Sequence, residues 1–114
     1  MLEWRSAMNL LIVDDEYLVV EEVVTVTDWE LLGITEIYSA TNAVSAVRIL
    51  NEKKIDIMIC DIEMPQTDGL ELSKKAKENF PDLEIVMLTS HAEFNYVRNA
   101  LRYGCYDYLL KPVM

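Results

Sequence analysis

Four short apolar runs in this chain each end in a polar or charged residue, and helix-period segments separate them. Leu10-Leu11-Ile12-Val13 ends in Asp14-Asp15-Glu16, and Ile55-Asp56-Ile57-Met58-Ile59-Cys60 ends in Asp61. Glu84-Ile85-Val86-Met87-Leu88 ends in Thr89-Ser90, and Tyr106-Asp107-Tyr108-Leu109-Leu110 ends in Lys111-Pro112. Ile37-Tyr38-Ser39-Ala40 is a weaker fifth run. Apolarity that is continuous rather than alternating belongs to strands covered on both faces, as in parallel sheets.

Amphipathic segments fill the gaps. Tyr17 to about Thr27 is the first helix, although it is rich in β-branched residues. Asn42 is the expected N-cap of the second, with Ala43, Val44, Ala46, Val47 and Leu50 inward. Leu70 to Asn79 is the third, ended by Phe80-Pro81-Asp82 because proline disfavours the α region in the residue before it. Glu93 to Tyr103 is the fourth, with Gly104 as its C-cap. The β-α-β-α-β-α-β-α-β order predicts a parallel sheet with right-handed crossovers.

Composition narrows the function classes. The 114 residues are one domain's worth of chain, and 52% apolar content with 3 Gly and 3 Pro excludes general disorder. A net charge of −10 argues against nucleic-acid binding by this segment. Two cysteines, Cys60 and Cys105, sit in apolar surroundings and suggest reduced thiols in a cytoplasmic protein. No apolar stretch reaches the ~18 residues of a membrane span. The start, Met1 to Ala7, lacks the apolar core of a secretory signal.

In an open parallel sheet the carboxyl ends of the strands meet at one edge, where ligands bind. That edge receives Asp14, Asp15, Glu16, Asp61, Thr89, Ser90 and Lys111 from four strands. Carboxylates gathered this closely repel one another, and a hard divalent cation such as Mg²⁺ resolves the conflict. A carboxylate, a metal, a hydroxyl and a lysine around an open position form a phosphoryl-transfer set, with Asp61 as nucleophile.

Taken together, these residues resemble the receiver domain of two-component response regulators. The resemblance lies in Leu11-Ile12-Val13-Asp14-Asp15-Glu16, Asp61-Ile62-Glu63-Met64-Pro65, Asp68-Gly69-Leu70-Glu71-Leu72, Leu88-Thr89-Ser90 and Tyr108-Leu109-Leu110-Lys111-Pro112. Asp15 to Asp61 spans 46 residues, Asp61 to Thr89 spans 28, and Thr89 to Lys111 spans 22. The match runs from about Met8 to Met114. It implies a flavodoxin-like, doubly wound, five-stranded parallel sheet in the order 2-1-3-4-5. It implies that Asp61 accepts a phosphoryl group from a sensor histidine kinase. Asp14, Asp15, Asp61 and the Glu63 backbone carbonyl would hold Mg²⁺, Thr89 and Lys111 would contact the phosphoryl oxygens, and Tyr108 would rotate as Thr89 moves. The Lys111-Pro112 bond is usually cis in this family.

Asp28-Trp29-Glu30-Leu31-Leu32-Gly33-Ile34, with Phe94-Asn95-Tyr96-Val97 and the residues up to Pro112, resembles receivers joined to AraC-type helix-turn-helix output domains. That implies a transcription regulator in which phosphorylation changes the helix 4/strand 5 face, from Glu93 through Tyr108, through dimerisation or release of the output domain. The domain's own chemistry would be self-phosphorylation and slow self-dephosphorylation, not enzymatic turnover. Some positions depart from the family pattern. Gln66-Thr67 stands where small residues are common, and Ala43 where Asn-Gly is frequent. Glu63 and His91, each two residues beyond Asp61 or Thr89, flank the line of water attack in the family, so this pair is expected to set the lifetime of the phosphoryl group.

Simpler roles stand beside these. The carboxylates of Asp14, Asp15 and Asp61 are solvated loop ends by themselves, and Asp15 or Glu16 can cap the first helix. Thr89 alone is a strand end, Lys111 a surface charge, Tyr108 a core residue, and His91 a surface residue near the site. Cys60 and the methionines read as core fillers, Trp29 as packing at the end of the first helix, and Glu21-Glu22 and Lys74-Lys75 as solvated faces. Rival functions are an Mg²⁺-dependent aspartyl-phosphate phosphatase and a phosphorylation-independent interaction module. A flavin-binding module fits less well, because the loop after the first strand is acidic and lacks the Gly, Ser and Thr that cradle phosphate. Residues 1–7 read as a leading segment of start-site or cloning origin, and residues 8–114 as a receiver that stops before a fifth helix. The expectation is a piece of a longer regulator, with an apolar patch near Leu109, Leu110 and Val113.

Overall fold

The structure is a computed structural model that describes residues 8–64, 69–89 and 107–110, with Thr89 and the last four described by backbone alone. The elements are β1 (Met8–Val13), α1 (Tyr17–Val26), β2 (Ile34–Ala40), α2 (Ala43–Glu52), β3 (Ile57–Asp61), α3 (Gly69–Asn79), β4 (Glu84–Thr89) and β5 (Asp107–Leu110). The five strands form one sheet in the order β2-β1-β3-β4-β5, and every neighbouring pair is parallel. This is the flavodoxin-like α/β fold. The expected leading segment 1–7, the helix over 93–103 with its Gly104 cap, and Cys105 lie outside the described residues.

The continuous apolar runs have a simple cause. Successive side chains of a strand point to opposite faces, so a strand covered on both sides needs an apolar residue at every position. On β1, Leu11 and Val13 join a core with Ala46 and Leu50 of α2, and Leu72 and Ala76 of α3. The alternate residues Leu10 and Ile12 join a second core with Val20 and Val23 of α1. All four β1 residues are fully buried. Each such burial contributes about 1.5–3 kcal/mol relative to exposure. From β1 the chain steps one way to β2, then crosses back to β3. Crossovers of one hand therefore put α1 on one face of the sheet and α2 and α3 on the other.

Local chemistry sets the helix ends. The Asn42 side chain accepts a hydrogen bond from the Ser45 N–H at 2.8 Å, as expected of an N-cap. Glu16 occupies the N-cap position of α1, but its side chain makes no capping hydrogen bond. After α1 the chain turns through Trp29, whose carbonyl accepts from both Leu32 N and Ile34 N. Gly33 closes that turn at φ 85°, a left-handed conformation that glycine adopts without the penalty of a Cβ. Trp29 packs on the α1 core, as its sequence position suggested.

Two strands begin elsewhere than their apolar runs suggest. β2 starts at Ile34, three residues before the Ile37 run, because an edge strand needs burial only on its faces and tolerates Thr35 and Glu36 in solvent. β3 starts at Ile57 rather than Ile55 and ends on Asp61 itself. Before it, the Asp56 carboxylate accepts the Asn9 N–H at 2.7 Å, and the Asp56 N–H donates to the Asn9 carbonyl. That exchange ties the amino ends of β1 and β3 together.

Candidate functional site

The order of strands reverses between β1 and β3, and open α/β sheets bind ligands in the crevice beyond such a switch point. Val13 pairs with Cys60 across these strands, so Asp14 and Asp61 follow at the same level on neighbouring chains. Both carboxylates are almost fully withdrawn from solvent, Asp14 at 0% and Asp61 at 3% exposure. Burying two acids beside each other is costly unless each is held by donors or a cation.

Backbone turns supply some of those donors. Asp14 Oδ1 accepts the Glu16 N–H at 2.8 Å, and the Asp14 N–H donates to the Ala40 carbonyl. Asp61 Oδ1 accepts the Glu63 N–H at 3.2 Å. In both cases the N–H lies two residues ahead, so the chain folds over its own carboxylate as it leaves the sheet. Asp15 and Glu16 are exposed, and carboxylate oxygens of Asp14, Asp15 and Glu16 lie within 4.8 Å of one another. Such an all-oxygen donor set suits a hard cation such as Mg²⁺. Glu63 is exposed at the rim.

Thr89 ends β4 one position beyond Leu88, the partner of Asp61. Tyr108 lies on β5 opposite Met87, and Leu110 opposite Thr89. Lys111, Pro112, Ser90, His91, Gln66 and Thr67 lie outside the described residues. The sheet thus brings the backbone of Asp14, Asp61 and Thr89 to one edge in adjacent strands.

Two features of the site had no distinct signal in the sequence. Gly69 opens α3 against the end of β3, its N–H donating to the Ile62 carbonyl at 2.8 Å. A Cβ at Gly69 would fall 1.8 Å from the Asp61 carbonyl oxygen, so no other residue fits without displacing that backbone. The motif contained Gly69, but a glycine in a turn-like stretch does not reveal what it touches. Ser73 of α3 is fully buried, and its hydroxyl donates to Met87 Sδ at 3.2 Å. This ties the helix after Asp61 to the strand that ends in Thr89. Cys60 is fully buried, with its thiol on the Asp61 carbonyl at 3.4 Å, a core residue as its sequence suggested.

The clustered acids thus lie at the switch point of a five-stranded parallel α/β sheet. The response regulator receiver domain family model matches residues 10–114. The "uncharacterized transcriptional regulatory protein YesN" of Bacillus subtilis is 37% identical over 104 residues, covering 91% of this chain and 28% of its own length. The transcriptional regulatory protein MalR of the same organism is 33% identical over 109 residues, covering 92% of this chain and 44% of its own. Among solved structures, the REC domain of AraT, a response regulator from Geobacillus stearothermophilus, has 32% identity and a TM-score of 0.86. It covers 94% of this chain and 83% of that one.

The chain belongs to the response regulator receiver domain family. Its relatives include transcriptional regulatory proteins, and its structural neighbours include a two-component transcriptional regulator AraC from Clostridium phytofermentans. The chain spans about a quarter to a half of the length of the first curated relatives. Among the described residues, no helix is long and apolar enough to cross a membrane.

Proposed function

We propose that this domain is a phosphorylation-controlled switch that takes a phosphoryl group on Asp61 from a sensor histidine kinase. The observation that carries the proposal is the delivery of buried Asp14 and Asp61 at one level of neighbouring strands, with exposed Asp15 beside Asp14. An Asp61 carboxylate oxygen attacks phosphorus, the O–P bond forms as the P–N bond of phosphohistidine breaks, and the bonding pair leaves with the imidazole. Asp14, Asp15, Asp61 and the Glu63 carbonyl are the residues to hold Mg²⁺. When bound, the ion neutralises the acid cluster and the charge on the transferred group.

Backbone turns support the same assignment. The Glu63 N–H holds one Asp61 oxygen in place and so orients the carboxylate at the sheet edge. Thr89, one level beyond Asp61 on the next strand, donates its hydroxyl to the phosphoryl group, and Lys111 pairs with a phosphoryl oxygen. The added charge of about −1.5 to −2 then draws on Thr89 and Lys111, and Tyr108 follows. The helix 4/strand 5 face, from Glu93 through Tyr108, passes the change to an output domain in the same protein, an AraC-type helix-turn-helix unit, through homodimerisation or release. Residues 8–114 form the receiver of such a longer, cytoplasmic regulator, and DNA contacts belong to the output domain. Glu63 and His91 set how fast water removes the phosphoryl group. The chain's own chemistry is limited to self-phosphorylation and slow self-dephosphorylation.

Mass measurement after incubation with acetyl phosphate and Mg²⁺ tests the central step. One added phosphoryl group on the native chain and none on Asp61→Asn is the expected result. No gain at any Mg²⁺ concentration overturns it. Exchange of both Glu63 and His91 with no change in dephosphorylation rate removes their assigned role.

A further inference from the structure

We propose that the outer edge of β2, with the groove between β2 and α1, is a docking strip for an extended basic-apolar segment of a partner protein. The segment would add as a sixth strand beyond β2. Three independent features of the fold lead there.

The first is the edge itself. β2 ends the sheet on one side, and alternate residues of an edge strand turn their N–H and C=O groups outward. At seven residues β2 is the longest strand among the described residues. Its sequence, Ile34-Thr35-Glu36-Ile37-Tyr38-Ser39-Ala40, has no proline, glycine or lysine and a single charge. Lysine and proline are among the residues that keep edges unpaired; β2 carries a register irregularity against β1 at Met8/Asn9, and beyond it the ladder is regular from Glu36 to Ala40.

The second is a groove of about 320 Å³ beside that edge, lined by Tyr17, Val20, Glu21 and Val24 of α1 and by Ile37 and Ser39 of β2. Ile37 and Ser39 are two residues apart, so both face α1, and a strand laid along β2 would direct every second side chain into this groove. Tyr17 stands at its wall 62% exposed, an aromatic anchor of the kind that dominates binding surfaces. Main-chain pairing with pockets for alternate side chains is how sheets capture extended peptides.

The third is charge, which selects the occupant. The charged residues of α1 and β2 are Glu21, Glu22 and Glu36, and between Met8 and Ala40 there is no lysine or arginine. Glu21 lines the groove, and Glu36 stands exposed on the strand. A segment alternating Lys or Arg with apolar residues complements this strip. A second copy of the chain would bring this acidic strip against itself and is disfavoured for that reason.

A heptapeptide of alternating lysine and valine is the probe, titrated into the full chain by calorimetry with hydrogen exchange followed at β2. The expected result is one-to-one binding with slowed exchange at alternate β2 amides. Ser39→Lys, which sets a like charge in the groove, is expected to weaken binding by about tenfold or more while Asp61 is still phosphorylated. That control separates the docking strip from the phosphoacceptor site. The same peptide N-methylated at alternate residues keeps its charge but loses its edge-pairing hydrogen bonds, and it needs no variant to fold. Equal binding by the N-methylated peptide, or by an alternating glutamate-valine peptide, overturns the proposal. So does absence of binding, or protection of β2 through dimerisation of the chain without peptide.

Discussion

Asp14 and Asp61 leave neighbouring parallel strands at the same level, one residue beyond the paired Val13 and Cys60, and both are buried. Their proximity creates a repulsion that a cation would relieve. Asp14→Asn is therefore expected to make the metal-free chain more stable, on the order of 1 kcal/mol, while it loses the response to Mg²⁺. Urea unfolding with chelator and with Mg²⁺ measures both effects. The native chain gains about 2.7 kcal/mol at a hundredfold excess of Mg²⁺ over its dissociation constant, and the variant far less.

Gly69→Ala places a Cβ 1.8 Å from the Asp61 carbonyl oxygen. Either α3 or the end of β3 must move. The expected cost is about 1–3 kcal/mol in urea unfolding, as for overpacked sites. Because the displaced backbone carries Asp61, phosphorylation by acetyl phosphate is expected to slow as well. Loss of stability at an unchanged rate shows that α3 yields instead of β3.

Asn42→Ala removes the acceptor for the Ser45 N–H at the start of α2. About 1 kcal/mol of stability goes with it, while Asn42→Asp keeps the cap and retains most of it. The cap lies at the carboxyl edge of the sheet, two residues beyond Ala40, whose carbonyl accepts the Asp14 N–H, so a slower phosphorylation is expected beside the lost stability. Thermal unfolding and the acetyl phosphate assay are read side by side.

Gly33→Ala forces a side chain into a left-handed turn at φ 85°. A cost of roughly 1–2 kcal/mol is expected, and Gly33→Asn is expected to be milder, because asparagine tolerates that region. The turn sits at the amino edge, where the Met8 N–H donates to the Gly33 carbonyl at 3.2 Å. Its distance from the carboxyl edge predicts unchanged phosphorylation in a thermal-shift and phosphorylation comparison.

Much of the fold was legible along the chain. β1 and β4 are buried on both faces, so their apolar runs stand out, and the residues that end the runs are the residues the sheet delivers to its edge. β2 was legible only in its second half, because an edge strand mixes apolar and polar residues. The Asn42 cap follows from a short polar side chain before an amphipathic stretch. Gly33 and Gly69 look alike in sequence, yet one supplies a left-handed turn and the other makes room for a neighbouring carbonyl. Ser73 gave no signal in the sequence and is fully buried against Met87.

Among the described residues, the sequence by itself determined where most strands and helices lie and that Asp14, Asp61 and Thr89 close β1, β3 and β4, because periodicity and capping act over a few residues. Only the tertiary structure decided which strands are neighbours. That set Asp14 beside Asp61, 47 residues on, left β2 at the end of the sheet among the described residues, and pressed Gly69 onto the Asp61 backbone. These relationships arise from packing both faces of one sheet at once, a condition that no local stretch of chain carries.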